Sequence, residues 1–284
     1  MQPNGQIGAD LGIRTRSAVI LGVVVLAVTW LGGWAFGLFC AGLAGLVLWE
    51  WRQMAGFRSS IAIEGDMVVT GALAVASAAF VGPAVGLAIG AVIALISGAL
   101  EATARRSQLD LWAGLWAIFG VAYAILPTIA LNGLRGGGEI GLVAVIFLFG
   151  VVWTTDIAAY FTGRILGGPK LLPQISPKKT WSGAIGGLIG GIVAGGVIGA
   201  VAGEPRLVPA LCLAAVVSVT AQAGDLFESW VKRRFSVKDS GRLIPGHGGV
   251  MDRVDGLLAA ALLLAAIGWA RTGLASAASG ALLW

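Results

Sequence analysis

Charge is what this chain has least of. Asp, Glu, Lys and Arg make up 12% of its 284 residues, against roughly 25% in an ordinary soluble domain. Hydrophobic residues reach 57% and the mean hydropathy is +0.90. A soluble globule of this composition would have to leave long apolar runs in water, so that class is excluded. Histidine occurs once, as His247, and cysteine twice, as Cys40 and Cys212, both inside apolar stretches. Such scarcity excludes a disulfide framework and the Cys/His spacings of a zinc site, and both cysteines read as core residues. Nor is there a small-residue cleavage site between the first apolar run and its continuation past Gly33. Arg14 and Arg16 therefore precede an uncleaved first helix and not a secretion signal.

What the chain does have is apolar sequence in membrane-length pieces. A bilayer core about 30 Å thick takes about 20 residues of helix. Suitable runs cover 17–31, 34–49, 68–82, 84–100, 111–131, 140–163, 183–203, 207–230 and 254–271. The reading is an all-α polytopic integral membrane protein of about nine transmembrane helices with a cytoplasmic N-terminus. If Gly32 and Gly33 are a soft spot in one long helix instead of a turn, the first two runs merge and about eight remain. Because Lys and Arg are retained on the cytoplasmic side, their distribution tests the orientation. With nine spans only Arg135, Arg206 and Arg271 of the 19 cations fall on the far side. Arg52, Arg58, Arg105 and Arg106 fall in cytoplasmic loops, and merging the first runs would place Arg14 and Arg16 outside. The net charge of +5 is then a topology signature that suits anionic membrane lipids, and nucleic acid is not needed as a partner.

Residues 1–135 hold no polar constellation and read as a transmembrane scaffold. Residues 136–284 read as the catalytic region, with cytoplasmic loops at 164–182 and 231–253. From Gly183 a glycine recurs at every fourth position, through Gly187, Gly191, Gly195, Gly199 and Gly203. On a helix this forms one ridge that lets a neighbour approach closely, within the chain or between two copies, so a homodimer is among the expectations. A phosphate-binding glycine loop is the sharper alternative, but the run has the length and polarity of a span. Pro83 and Pro127 are expected at or near span ends. Trp30, Trp34, Trp49, Trp51, Trp112, Trp116, Trp153 and Trp181 are expected near the membrane interfaces.

A few polar residues resist the apolar reading. Asp156 and Asp225 each lie inside an apolar span, near its cytoplasmic end, where a carboxylate costs about 2.5–3.5 kcal/mol. Two such acids on different helices suggest a shared water-filled cavity open to the cytoplasm; the plainer alternative pairs each with a helix-end Arg. Asp225 with Glu228, and Asp252 with Asp255, are spaced i, i+3, which puts both members on one helical face. Acids so close repel unless a cation lies between them. Oxygen donors with little sulfur or imidazole suit a hard cation such as Mg2+, and the nearby Lys-rich loops point to a nucleotide or phosphate substrate. A salt-bridge network with Arg233, Arg234 and Arg253 is the alternative. Ser176 to Thr180, SPKKT, offers two ammonium groups and two hydroxyls just before a helix N-terminus, a cradle for phosphate oxygens or simply a topogenic basic loop. His247 stands in PGHGG, where the glycines let the backbone come close to a ligand.

The run from Ser229 to Asp255, SWVKRRFSVKDSGRLIPGHGGVMDRVD, closely resembles the signature of the phosphatidate cytidylyltransferases, also called CDP-diacylglycerol synthases. DIAAYFTGR from Asp156 to Arg164 and SPKKTW from Ser176 to Trp181 resemble two further motifs of that family, in the expected order. One departure is Ser182, where the family usually carries a glutamate. The resemblance implies reaction of CTP with phosphatidic acid to give CDP-diacylglycerol and pyrophosphate, supported by Mg2+ and allowing a second, monovalent cation such as K+. It implies Asp225 and Asp252 as metal ligands and catalytic groups together with Lys232, and Asp156 and Asp255 as further ligands. Ser176, Lys178, Lys179, Thr180, Arg233, Lys238, Asp239, His247, Gly248, Gly249 and Arg253 become the substrate-binding set. The implied address is a bacterial inner membrane, with the active site opening to the cytoplasm.

Two other functions compete. Asp252, Asp255, Gly256 and Ala259 match the start of the CDP-alcohol phosphotransferase motif, but Ala260 and the acid-free remainder of the helix end that likeness. A membrane transporter could also hold acids in its helices, yet the chain lacks the internal symmetry such proteins show.

Overall fold

The computed structural model describes residues 4–57, 61–104, 109–203, 207–244, 248–274 and 276–283, with backbone only at 4–15 and 61–67. Its elements are α1 (Asn4–Leu31), α2 (Gly33–Ala55), α3 (Ile61–Phe80), α4 (Pro83–Thr103), α5 (Leu111–Arg135), α6 (Gly138–Leu166), β1 (Lys170–Leu172), β2 (Ser176–Thr180), α7 (Trp181–Val201), α8 (Leu207–Arg234), α9 (Met251–Thr272) and the short α10 (Ala277–Leu282). Each apolar run of the sequence coincides with one of the first nine helices. Seven of these, α2 and α4 to α9, are long and apolar enough to cross a membrane, and α1 and α3 contribute the shorter apolar stretches Arg16–Leu31 and Val68–Phe80. The protein is an all-α polytopic membrane protein.

Gly32 and Gly33 separate α1 from α2. Their φ angles are 61° and 50°, in the left-handed region that glycine enters at no steric cost. Arg135 seals the break by donating to the carbonyls of Thr29 at 2.6 Å and Trp30 at 3.1 Å, which the last turn of a helix leaves unpaired. The one-helix alternative is therefore set aside.

The glycine ridge is used inside the chain. A Cβ at Gly187 would lie 2.9 Å from the Thr155 carbonyl oxygen of α6, and one at Gly195 would lie 2.4 Å from Ala214 Cβ of α8. At Gly191 a Cβ would meet Thr155 Oγ1 at 2.5 Å and Ser218 at 2.9 Å, the two residues whose hydroxyls join α6 to α8 at 2.8 Å. Gly203 falls past the end of α7, in a turn with φ of 76°. Gly191→Leu is expected to lower stability by about 1–3 kcal/mol through overpacking. Gly42→Leu, at a glycine with nothing within 4 Å of its missing Cβ, should change little. Thermal unfolding of both variants in detergent checks the contrast.

Four expectations are corrected. Pro127 lies well inside α5; Thr128, next to it, donates to the Ala124 and Ile125 carbonyls at 2.7 and 3.0 Å, whereas the carbonyl that the missing proline N–H leaves without its helical donor is that of Tyr123. Trp51 is 1% exposed and packs with Trp116, Phe119, Tyr123 and Phe235, because its own helix turns it toward α5 and α8 and away from the interface. Cys212 is on the surface of α8, whereas Cys40 is buried. Arg52 is no loop cation: it is buried in α2 and pairs at 2.9 Å with buried Glu101 of α4, since α2 runs on past the end of its apolar stretch.

Candidate active site

Three acids reach one cavity from three helices. The cavity has a volume of about 830 Å³ and is lined by Asp156 of α6, Asp225 of α8 and Asp255 of α9. Each carboxylate lies within the electrostatic reach of the other two. The regularity of α8 supplies the next layer: Asp225, Glu228 and Lys232 follow one another at i, i+3 and i+7, along one face. Lys232 Nζ sits 2.5 Å from Glu228 Oε2 and 2.6 Å from Asp252 Oδ1, so one ammonium bridges two buried acids on different helices.

α8 then stops in a left-handed cap. Ser236 takes a φ of 58°, and Val237 N–H donates to the Lys232 carbonyl at 2.9 Å, the six-residue closure of a Schellman turn. This reverses the chain so that Ser240 returns to the start of α9. There Asp252 Oδ2 accepts from Ser240 N at 3.0 Å, Ser240 Oγ at 3.0 Å and Gly249 N at 2.9 Å. Asp252 thus holds the loop together while Oδ1 faces Lys232, and a carboxylate in the first turn also suits the positive end of the helix dipole.

SPKKT forms β2, which pairs antiparallel with β1 in a small hairpin; these are the only strands among the described residues. Its last residue caps the next helix, with Thr180 Oγ1 accepting from Gly183 N at 3.1 Å. Lys178, Lys179 and Thr180 all line the cavity. Lys179 forms an ion pair with Asp225, which ties the hairpin to α8 and leaves a carboxylate of the site neutralised by an ammonium of the proposed phosphate cradle.

Of the residues expected to form the site, the cavity gathers Asp156, Lys178, Lys179, Thr180, Asp225, Lys232, Asp239, Asp252, Arg253 and Asp255. It does not gather Ser176, Arg233, Lys238, Gly248 or Gly249. Arg233 turns toward the hairpin instead, donating to the carbonyls of Ile175 and Val237, each at 3.4 Å. Gly248, with φ of 86°, closes the loop by accepting from Ile244 N at 3.0 Å. His247 lies outside the described residues. The lining also includes Tyr160, Arg164, Lys170 and Gln222, none of which was in the expected site set.

The donor set is compatible with a hard divalent ion. Asp156, Asp225 and Asp255 present only oxygen, and the cavity mixes five carboxylates with six Lys or Arg, the balance a metal-bridged phosphate ester needs. Among the described residues no three such side chains already converge at ligating distance, and Asp225 holds Lys179 instead.

The model of the cytidylyltransferase family matches residues 12–270. The chain belongs to the cytidylyltransferase family. Among relatives, the phosphatidate cytidylyltransferase of Brucella suis biovar 1 (strain 1330) is 41% identical over 262 residues, covering 90% of this chain and 92% of its own length. That of Pseudomonas aeruginosa is 36% identical over 267 residues, 90% of this chain and 97% of its own. That of Staphylococcus saprophyticus subsp. saprophyticus is 34% identical over 249 residues, 87% and 94% respectively. The match to the cytidylyltransferase family includes all three motif segments that build the cavity. Ser182, the departure within them, points into the hairpin: its hydroxyl donates to the Gly167 carbonyl and lies 3.0 Å from Thr180 Oγ1.

The sequence reading missed a buried group that bears on the site. Glu50 of α2, in the half read as plain scaffold, is 0% exposed and contacts the loop that carries Asp252. The signal was weak: Glu50 stands one residue past the apolar run 34–49, between Trp49 and Trp51, where an acid reads as interfacial.

Proposed function

We propose that this protein is a phosphatidate cytidylyltransferase, joining CTP to phosphatidic acid to give CDP-diacylglycerol and pyrophosphate in phospholipid biosynthesis. The observation that carries this reading is the single cavity into which the hairpin, α6, α8 and α9 deliver the motif acids and lysines together. The phosphate monoester of the lipid is itself the nucleophile at neutral pH. Its attack on the α-phosphorus of CTP needs alignment and charge neutralisation more than a dedicated base. Lys178, Lys179 and Arg253 would take phosphate oxygens of the two substrates, and Lys232, fixed between Glu228 and Asp252, would face the charge that develops as pyrophosphate departs.

Mg2+ would be held by acids from among Asp225, Asp252, Asp156 and Asp255 and would supply the neutralisation of triphosphate charge. Asp252 Oδ2 already accepts three bonds and Oδ1 one, so Oδ1 is its remaining ligating atom. Asp225 becomes available when Lys179 turns to a phosphate. Excess carboxylate leaves room for a monovalent cation such as K+. In this reading residues 136–284 form the catalytic region, braced by 1–135, in a bacterial inner membrane with the cavity at the cytoplasmic face. A homodimer would use a surface other than the glycine ridge.

The test uses purified full-length protein in mixed micelles with labelled CTP. Label should enter a lipid only when phosphatidic acid is supplied, with one pyrophosphate released per lipid formed. No incorporation by folded protein, or uptake of a solute by vesicles carrying it, would sink the reading.

A further inference from the structure

The N-terminus of α9 has no cap of its own. Val250, its N-cap residue, offers no side-chain bond, although the first N–H groups of any helix lack intrahelical partners. The cap comes from α2. Glu50 Oε1 accepts from Val250 N at 2.8 Å, and Oε2 accepts from Met251 N at 2.8 Å and Ser240 Oγ at 2.9 Å. The Ser240 hydroxyl also lies 3.0 Å from Asp252 Oδ2, so a single hydroxyl links a buried carboxylate of the N-terminal half to an acid of the cavity. The surroundings are shaped around this contact. A Cβ at Gly241 would come within 2.6 Å of Glu50 Oε1, and one at Gly249 within 2.5 Å of Glu50 Oε2 and 2.1 Å of Ser240 Oγ. Two glycines of the signature loop are thus small because Glu50 occupies the space.

We infer that Glu50 is a positioning residue for the reaction: it ties Ser240, Val250 and Met251 to α2, and through Ser240 and the first turn of α9 it fixes the place of Asp252 and of the Lys232 ammonium bonded to it. This role rests on the activity proposed above. Glu50 lines no part of the cavity, so it acts through Asp252 without touching substrate. A buried carboxylate that takes one backbone N–H on each oxygen, and shares the Ser240 hydroxyl proton with Asp252, also resists replacement by an amide, since the NH2 group of Gln would point a donor at a donor.

Steady-state kinetics with CTP and phosphatidic acid varied in turn should give Glu50→Gln a kcat lowered by about 10- to 100-fold, the usual cost of disturbing a group that orients a site residue. KM for both substrates should change less than kcat, because Lys178, Lys179 and Asp225 stand on other elements and only Arg253 shares the first turn of α9. Ser240→Ala should lower kcat in the same direction, and the double variant should be no worse than the more impaired single one, as coupled residues behave. Glu101→Gln, which breaks the buried pair with Arg52 away from the loop, should lower the melting temperature while leaving kcat per folded molecule unchanged. A Glu50→Gln protein that behaves like Glu101→Gln, less stable but with parental kcat, overturns the inference. Should Glu50→Gln fail to fold, parental kcat in Ser240→Ala overturns it equally. Wild-type protein inert toward CTP and phosphatidic acid would remove the proposed reaction and this role with it, whereas active wild type beside an unimpaired Glu50→Gln removes the role alone.

Discussion

Asp225→Asn is expected to reduce CDP-diacylglycerol formation by roughly 1,000-fold, the order of loss that follows removal of a group stabilising charge at the reacting centre. Its stability should hardly move. The contacts explain the separation: the side chain of Asp225 is bonded to Lys179, and both are about one-third exposed, at 34% and 29%. A pair so open to solvent contributes about 1 kcal/mol or less. The asparagine keeps the volume and loses only the charge. Lys179, freed from its partner, still sits on the hairpin, whose pairing with β1 does not depend on α8. Turnover measured beside thermal unfolding on one preparation checks both halves. Normal turnover would take Asp225 out of the metal site, and a large drop in melting temperature would show that the hairpin needs the ion pair.

Asp252→Asn is expected to lose both activity and stability. Activity should again fall by roughly 1,000-fold, since Lys232 would lose the acid that holds it over the cavity. The structural cost arises from saturation. Every group bonded to Asp252 is a donor: Lys232 Nζ, Ser240 N and Gly249 N, with the one hydroxyl proton of Ser240 shared between Asp252 and Glu50. An amide must turn an NH2 toward one side of that ring. Its side chain is 5% exposed and that of Lys232 is 13%, so water cannot replace the lost acceptor. Breaking one partner of such a buried pair costs about 3 kcal/mol, several times the figure for Asp225→Asn. Two substitutions of identical chemistry, one on α8 and one on α9 of the same cavity, should therefore be told apart by the melting curve and not by the assay.

Much of the site was legible because chemistry of this kind is expensive in a membrane. An acid in an apolar run survives only with a reason, and that argument alone singled out Asp156 and Asp225. The helical spacing of Asp225 with Glu228 and of Asp252 with Asp255 put the pairs on shared faces, and the structure brings Asp156, Asp225 and Asp255 to one cavity. The argument did not reach Glu50 and Glu101, because each stands one residue past the end of an apolar run, 34–49 and 84–100, and near no motif. Their partners are far off in sequence: Glu50 bonds to residues 240, 250 and 251, and Glu101 pairs with Arg52. Trp51 misled for a related reason. A tryptophan near the end of an apolar run has the same local signature whether it faces lipid head groups or Phe235 of another segment.

By itself the sequence determined the class of protein and the helical order, and it singled out acids and lysines as candidates for the chemistry. Apolar length sets spans, scarce charge marks its own importance, and hydrogen-bonding rules act within a few residues. Only the tertiary structure decided which acids share a cavity, that Lys179 neutralises Asp225, that the glycine ridge is consumed by α6 and α8, and that α9 takes its cap from α2. Those outcomes depend on which faces of distant helices meet. A helix face is fixed by local periodicity, but its partner is chosen by packing across the whole molecule, which no local pattern records.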